Sequence, residues 1–154
     1  MQKIIIADTS CLILLYKIQE FDILRKLFGE IFIISEIKKE FGQEMPAWVT
    51  VKDASNKITQ NIVTASVDKG EASAIALALE ESNALLILDD KKARRLAKSL
   101  NLKHTGTMGI LVDAKLSGHL QSIKPVIEKV RNTNFHISAE LERKMLMLSG
   151  EIKE

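Results

Sequence analysis

The segment KIIIADTSCLILL, residues 3–15, decides the fold class of this chain of 154 residues. It opens on a run of β-branched residues without polar alternation, which is typical of a strand that is buried on both faces. Asp8, Thr9 and Ser10 follow, and all three are residue types that favour the beginning of a helix. A buried strand that runs directly into a helix predicts a parallel sheet covered by helices.

Short apolar runs alternate with helical segments along the rest of the chain. IFII at 31–34 and ALLIL at 84–88 indicate two further buried strands, and shorter strands are predicted at VTVK and LKHTG. This alternation predicts an α/β fold with a mainly parallel sheet. We expect one domain over 1–154, in which 120–150 forms a C-terminal helical part.

The composition excludes several classes of protein. Hydrophobic residues make up 46% of the chain and aromatic residues only 5%, so an aliphatic core is expected. The net charge of +2 is too small to indicate nucleic-acid binding, which would need a local basic patch. Cys11 is the single cysteine, and no apolar run approaches the ~20 residues of a membrane span. We therefore expect a cytoplasmic protein without a membrane segment.

Acidic residues stand at or near the ends of several predicted elements. Asp8 and the pair Asp89 and Asp90 directly follow predicted strands, whereas Glu40 and Glu71 lie on predicted helices. Because ligands of open parallel sheets bind beyond the carboxyl ends of the strands, these acids are candidates for one shared site. Without a cation, neighbouring carboxylates would repel and raise one another's pKa values, so such a cluster predicts a divalent metal.

Each acid also has a purely structural interpretation. Asp8 could cap the helix that follows it, either Asp89 or Asp90 could cap the next basic helix, and Asp68-x-x-Glu71 fits a capping box. Glu40 could belong to a solvated helix face. Capping needs only one residue at each helix, however, and the chain has two acids in a row after the third buried strand. The combination therefore favours a site over a set of independent caps.

The donor atoms indicate which metal such a site would hold. Carboxylates, with the hydroxyls of Thr9, Ser10 or Thr107 nearby, form a hard, oxygen-rich set that suits Mg²⁺ or Mn²⁺. Zinc is not favoured, because the three histidines are widely separated and no zinc motif occurs. A hard cation next to phosphate groups indicates hydrolysis of nucleic acid.

A basic helix is predicted directly after the acidic pair, within KKARRLAKSL at 91–100. Its cations are Lys91, Lys92, Arg94, Arg95 and Lys98, and those at 91, 94, 95 and 98 share one face at helical spacing. Charge runs of this kind are most often a solvated surface. Beside a metal site, the same face could contact the phosphates of a nucleic acid without regard to its sequence.

Several of these blocks together resemble the PIN-domain family, and most closely its branch of VapC-like toxins. The blocks are IIIADTSCLILL, SEIKKEF, GEASAIALALE, LLILDDKKARRLAKSLNL and HTGTMGIL. The tail NFHISAELERKMLMLSGE is similar to the helical ending of one PIN subgroup. The resemblance implies a three-layer α/β sandwich, in which a four- to five-stranded, mainly parallel sheet has helices on both faces.

The resemblance also implies a metal-dependent ribonuclease site. The family's catalytic acids match four positions of this chain: Asp8, Glu40, Glu71 and Asp90. The implied ligands of Mg²⁺ or Mn²⁺ are Asp8, Glu71, Asp90 and, as the alternative to Asp90, Asp89. Hydroxyl positions near the metal match Thr9, Ser10 and Thr107.

From this resemblance we expect an endoribonuclease that depends on Mg²⁺ or Mn²⁺ and hydrolyses the phosphodiester bonds of RNA. Relatives imply the toxin of a toxin–antitoxin pair, with a small antitoxin protein as a partner and a homodimer as the assembly. The alternative is a regulatory PIN module with weak or no catalysis, which binds RNA or a protein through the basic helix. Binding of RNA in EDTA without cleavage would favour that module.

Overall fold

A computed structural model describes residues 3–153 and contains a five-stranded sheet in which every neighbouring pair of strands is parallel. The strands are β1 (Ile4–Ala7), β2 (Ile31–Ile33), β3 (Val49–Val51), β4 (Ala84–Ile87) and β5 (Lys103–Thr105), in the order β3-β2-β1-β4-β5. With helices packed around this sheet, the predicted α/β sandwich is confirmed. Residues 1, 2 and 154, at the ends of the predicted single domain, lie outside the described residues, and the extent of that domain stays a prediction.

Nine helices occur in the described part of the chain. In chain order they are α1 (Thr9–Lys17), α2 (Ile23–Phe28), α3 (Ser35–Phe41), α4 (Lys57–Thr64), α5 (Lys69–Glu80), α6 (Lys91–Ser99), α7 (Thr107–Leu116), α8 (Lys124–Arg131) and α9 (Ala139–Leu148). The last two lie within 120–150, where the sequence predicts helices. None of the helices in residues 3–153 combines the length and the apolar character that crossing a membrane requires.

The core is aliphatic, as the composition predicts. Ile6 of β1, Ile33 of β2 and Leu86 of β4 are fully buried, which explains why these strands are continuous apolar runs. α5 contacts β1 and β4 and is buried from Gly70 to Ala78, a segment whose four alanines permit close packing. Cys11 on α1 is also fully buried, and burial raises the pKa of its thiol, so it packs as a small apolar side chain.

The strand order creates a topological switch point between β1 and β4. From β1 the chain continues to β2 and β3 on one side of the sheet, and it then crosses to β4 and β5 on the other side. Ala7 pairs in register with Ile87, and the Asp8 N–H donates to the Ile87 carbonyl at 3.1 Å. The connections that carry Asp8 and Asp89 therefore leave the same edge of the sheet side by side, where open parallel sheets bind their ligands.

Candidate functional site

An open pocket of about 510 Å³ lies beyond the carboxyl ends of β1 and β4. Six of its nine lining residues are acids: Asp8, Glu40, Asp68, Glu71, Asp89 and Asp90. The other three are Thr9, Ser10 and Ile13, so no lining residue is a cation. The structure thus brings together all five acids that the sequence singles out, and it adds a sixth, Asp68.

Asp8 is held at the beginning of α1. It is the N-cap of that helix, and its Oδ1 accepts a hydrogen bond of 2.8 Å from the Thr9 N–H. Only 7% of Asp8 is exposed, so its carboxylate is largely withdrawn from water. The structural interpretation of Asp8 as a cap is therefore right, and the same side chain also faces the pocket.

Glu40 reaches the pocket from α3, which packs against α1 and α5. Its Oε2 accepts a hydrogen bond of 2.7 Å from the Thr9 hydroxyl. Its carboxylate also lies against Gly70, where an added Cβ would come within 3.2 Å of Oε1. Thr9 and the absence of a side chain at position 70 together let this acid approach the beginning of α5.

Glu71 enters the pocket from the first turn of α5. A helix that leads into a parallel strand runs opposite to it, so the N-terminus of α5 lies at the carboxyl edge of the sheet. Asp68 caps α5 by accepting a hydrogen bond of 2.9 Å from the Glu71 N–H. Sequence reasoning treats Asp68 only as a cap, although its position three residues before Glu71 already places both carboxylates at the same helix end.

Asp89 and Asp90 make different contacts. Asp89 accepts hydrogen bonds from the backbone N–H and the hydroxyl of Thr107, at 2.8 and 2.5 Å, and so fixes the beginning of α7. Asp90 is the N-cap of α6, and its Oδ2 accepts a hydrogen bond of 3.0 Å from the Ala93 N–H. Thr107 is fully buried, whereas Asp90 is exposed at the rim of the pocket.

The two buried acids hold their protons more tightly than free carboxyl groups do. Burial, followed by the charges of Asp68, Glu40 and Asp89, raises the pKa of Asp8 to about 6, although the Thr9 hydrogen bond opposes the change. Burial and a side-chain hydrogen bond with Asp68 raise the pKa of Glu71 to about 8. At neutral pH, Glu71 is therefore protonated and hydrogen-bonded to Asp68. The pocket contains more acids than it can ionise without a cation.

The chemistry of the pocket fits a hard divalent cation. Its polar lining consists only of carboxylate and hydroxyl groups, which are the donors that Mg²⁺ and Mn²⁺ prefer. At neutral pH, Glu71 carries a proton that such a cation would displace. Within residues 3–153, however, no three Asp, Glu, His or Cys side chains converge closely enough to form a ready-made metal site. The metal and its ligands therefore stay predictions.

The metal-free protein should lose stability as the pH rises from about 4 to 8. The folded protein keeps a proton on Asp8 up to a pH of about 6 and on Glu71 up to a pH of about 8, whereas the unfolded chain, with ordinary carboxyl pKa values, has released both at lower pH. The free energy of unfolding therefore falls with pH. The shift of Asp8 alone corresponds to about 3 kcal/mol, and we expect the melting temperature in EDTA to fall by roughly 5–10 °C.

Thermal unfolding in EDTA at constant ionic strength measures this pH dependence. In Glu71→Gln, the melting temperature should depend less on pH between pH 5 and 8, because a neutral amide has no proton to lose. Glu140→Gln, on an exposed part of α9, is the matched control and should keep the full slope. A melting temperature that rises steadily over this range in the wild type would contradict the prediction.

The basic helix α6 begins directly at the rim of the pocket. All five of its cations are exposed; they are Lys91, Lys92, Arg94, Arg95 and Lys98. The opposite face is anchored by Ala93 and Ala97, which are fully buried. Lys92 lines a shallow recess with Asp68, Glu71 and Asp90. The cationic surface therefore borders the acidic pocket directly.

The fold and the pocket define a class of proteins, namely parallel α/β domains with a carboxylate-rich site at the switch point of the sheet. A family model described as a PIN domain, DUF3368, matches residues 4–151, and the chain belongs to the PIN-domain family. PIN domains are generally nucleases that bind RNA, so membership supports a hydrolytic reaction on nucleic acid. Among curated proteins, a search found none that matches this chain.

Proposed function

We propose that this protein is an endoribonuclease that depends on Mg²⁺ or Mn²⁺ and hydrolyses the phosphodiester bonds of RNA. One observation carries the proposal: in a PIN domain, a pocket lined by six carboxylates adjoins an exposed cationic helix face. The acids alone would repel a polyanion, whereas the cations of α6 attract its phosphates. A surface that attracts phosphate next to a pocket that favours a divalent cation is suited to phosphodiester hydrolysis.

In this proposal, Asp8, Glu71 and Asp90 hold one or two divalent ions, with Asp89 as the alternative to Asp90. An ion bound there would supply activation of water and stabilisation of the negative charge on the scissile phosphate. The chain's own residues set the geometry. Glu40, on the α3 wall of the pocket, orients the attacking water or completes the surroundings of the ion.

The hydroxyl groups act mainly by positioning acids. Thr9 donates to Glu40, and Thr107 donates to Asp89, so two of the three predicted hydroxyls hold carboxylates in place. Ser10 is exposed and lines the pocket, where it is available to a water molecule or to the substrate. Fixed side chains of this kind reduce the reorganisation that the reaction requires.

Cleavage assays with and without divalent ions test the proposal. The purified protein should cleave a mixture of structured and unstructured RNAs in Mg²⁺ or Mn²⁺, lose this activity in EDTA, and recover it when the ion is restored. Equal cleavage in EDTA would contradict a metal-dependent reaction. Binding of RNA in EDTA, with no cleavage in either ion, would instead support the regulatory PIN module, which is the alternative function.

Reversing charges on α6 should weaken RNA binding. Lys91→Glu with Arg95→Glu removes two cations from one exposed face, and we expect the affinity to fall by roughly 10-fold or more at low salt. The slope of log affinity against log salt should become shallower by about 0.7 for each phosphate of a single strand that the variant no longer neutralises. Filter binding in EDTA measures both quantities. Lys17→Glu with Lys26→Glu, an equal change in charge on other exposed positions, is the control; an equal loss of affinity there would contradict a specific role for α6.

The biological setting is a further part of the proposal. The similarity of the GEASAIALALE and LLILDDKKARRLAKSLNL blocks to the VapC-like branch supports a cytoplasmic toxin that is held inactive by a small antitoxin protein. Two large apolar side chains on α4, Ile58 and Ile62, are 72% and 68% exposed, which supports a homodimer. Growth arrest on induced expression of the wild type, but not of Asp8→Asn, would support the toxin role.

A further inference from the structure

A second cavity adjoins the acidic pocket and has a volume of about 330 Å³, within the range of about 300–1,000 Å³ that small-ligand sites occupy. Asp89 lines both cavities. The rest of the second cavity comes from the end of β5, from α6 and α7, and from α9 with the loop before it. We propose that this cavity is a subsite for RNA, which receives the base of a nucleotide next to the bond that is cleaved. The inference rests on the proposed function.

The interior of the cavity is apolar and suits a flat ring. Met108 and Val112 on α7 and Met145 on α9 are buried and line it, and the more exposed Leu141 completes this surface. Phe135 is half-buried, packs against the core and forms part of the wall. Nucleobases have apolar faces and stack on aromatic and aliphatic side chains of this kind. A free inorganic phosphate or a metal ion would gain nothing from such a surface.

Two cationic side chains and a histidine line the same cavity. Arg94 of α6, Lys144 of α9 and His136 are exposed lining residues. Arg94 lies close to Asp89, since a Cβ added at Gly106 would come within 3.2 Å of Arg94 Nη1 and 3.0 Å of Asp89 Oδ1. A ligand that matches the whole cavity therefore has both an apolar ring and negative charge, as a nucleotide has.

The position of the cavity selects RNA over other ligands of this kind. Arg94 belongs both to the exposed cationic face of α6 and to the lining of the cavity. Phosphates that follow α6 would thus lead a strand past Asp89, with one phosphate at the acidic pocket and the adjacent base in the apolar cavity. Stacking of one base would give the cleavage a preference at one position, which the sequence-independent phosphate contacts of α6 do not provide.

NMR of the methionine methyl groups tests the subsite directly, with the wild-type protein in EDTA. Met108 and Met145 line the cavity, and Met45 does not. We expect 5′-mononucleotides to shift the signals of Met108 and Met145 and to leave Met45 unchanged. Ribose 5-phosphate, which has the phosphate but no base, should cause no comparable shift. Equal shifts with ribose 5-phosphate, or none with nucleotides at high millimolar concentration, would overturn the assignment to a base.

A variant at the mouth of the second cavity tests the base subsite separately from the proposed nuclease activity. Leu148 lines the cavity and is 57% exposed, so Leu148→Glu should fold normally while placing a negative charge beside the base. We expect it to abolish the nucleotide shifts, to raise KM for RNA by roughly 10-fold, and to weaken the base preference at one position beside the cut in a randomised RNA. Leu116→Glu, on α7 and 62% exposed outside both cavities, should leave all three unchanged.

The outcomes differ for the two proposals. If RNA is cleaved but nucleotides do not shift Met108 and Met145, the subsite is wrong and the nuclease stands. If nucleotides shift the NMR signals of both methionines and Leu148→Glu abolishes these shifts, but no RNA is cleaved, the cavity is a nucleotide-binding site and the proposed nuclease activity is wrong. Shifts of the two methionines on dilution of the protein alone would show that a second copy of the chain fills the cavity, and they would overturn the subsite.

Discussion

Asp8→Asn should abolish metal-dependent cleavage of RNA and, at the same time, make the metal-free protein more stable at pH 8. Burial raises the pKa of Asp8 to about 6, so ionising this side chain at pH 8 costs folding free energy. Asparagine has nearly the same shape, and its amide oxygen can still accept the hydrogen bond from the Thr9 N–H. Loss of the charge therefore removes a predicted metal ligand without removing the cap of α1.

We expect the cleavage rate to fall by more than about 100-fold, because even partners that only support a metal ligand contribute 10- to 100-fold. The melting temperature in EDTA at pH 8 should rise by several degrees, and added Mg²⁺ should stabilise the wild type more than the variant. Rates of RNA cleavage and thermal unfolding give both readouts. Asp113→Asn, an exposed acid on α7, should change neither.

The two readouts together distinguish a role in the site from a role in folding. Full activity of Asp8→Asn would show that Asp8 is not a metal ligand of the proposed site. An inactive variant that is also less stable than the wild type would mean that the substitution lowers activity by destabilising the folded protein. We expect lower activity together with higher stability only if Asp8 is a buried carboxylate whose charge destabilises the metal-free protein and is needed to bind a cation.

The fold could be predicted from the sequence because buried parallel strands leave a plain local signal. Ile4–Ala7 and Ala84–Ile87 pair side by side at the centre of the sheet, where both faces are covered, and both are uninterrupted apolar runs. The edge strand Val49–Val51 is shorter and partly exposed, and the prediction of a short strand at VTVK is correct. The order of the strands needs contacts between distant parts of the chain, which no local pattern provides.

The positions of the acids could be predicted more readily than their roles. Asp8 and Asp90 follow parallel strands and also cap α1 and α6, since both helices begin at the carboxyl edge of the sheet. A cap and a site residue need the same type of side chain at the same place, so the sequence could not separate the two interpretations. The structure shows that both acids cap and that both line the pocket.

Contacts that depend on packing between distant elements could not be predicted from the sequence. Glu40 lies beside Thr9 because α3 packs against α1; the two residues are 31 positions apart, and the segment between them contains no signal of that contact. The apolar cavity joins Asp89 to Phe135 and Lys144, which belong to different elements. Asp68 is the exception, because its spacing to Glu71 is visible in the sequence and only its contribution to the pocket is not.

Asp90→Asn should reduce cleavage far more than Asp89→Asn, although the second variant should be the less stable of the two. Both oxygens of Asp89 accept hydrogen bonds from Thr107, so this carboxylate is committed to holding the beginning of α7. Only Oδ2 of Asp90 serves the cap of α6, and the charge of Asp90 contributes to the raised pKa of Glu71. The charge of Asp89 likewise contributes to the raised pKa of Asp8, so the hydrogen bonds to Thr107 are what set the two acids apart.

The expected effects on cleavage and on stability follow from these hydrogen bonds. Asparagine is as good an N-cap as aspartate, so Asp90→Asn should leave the melting temperature in EDTA nearly unchanged while cleavage falls by more than about 100-fold. In Asp89→Asn, neutral hydrogen bonds replace charge-assisted ones to Thr107, which should cost about 1 kcal/mol of stability and reduce cleavage by roughly 10-fold. Values of kcat/KM and thermal unfolding of the two variants, measured side by side, show which of the two acids is the metal ligand. The opposite order of activities would make Asp89 the metal ligand and leave Asp90 as a helix cap.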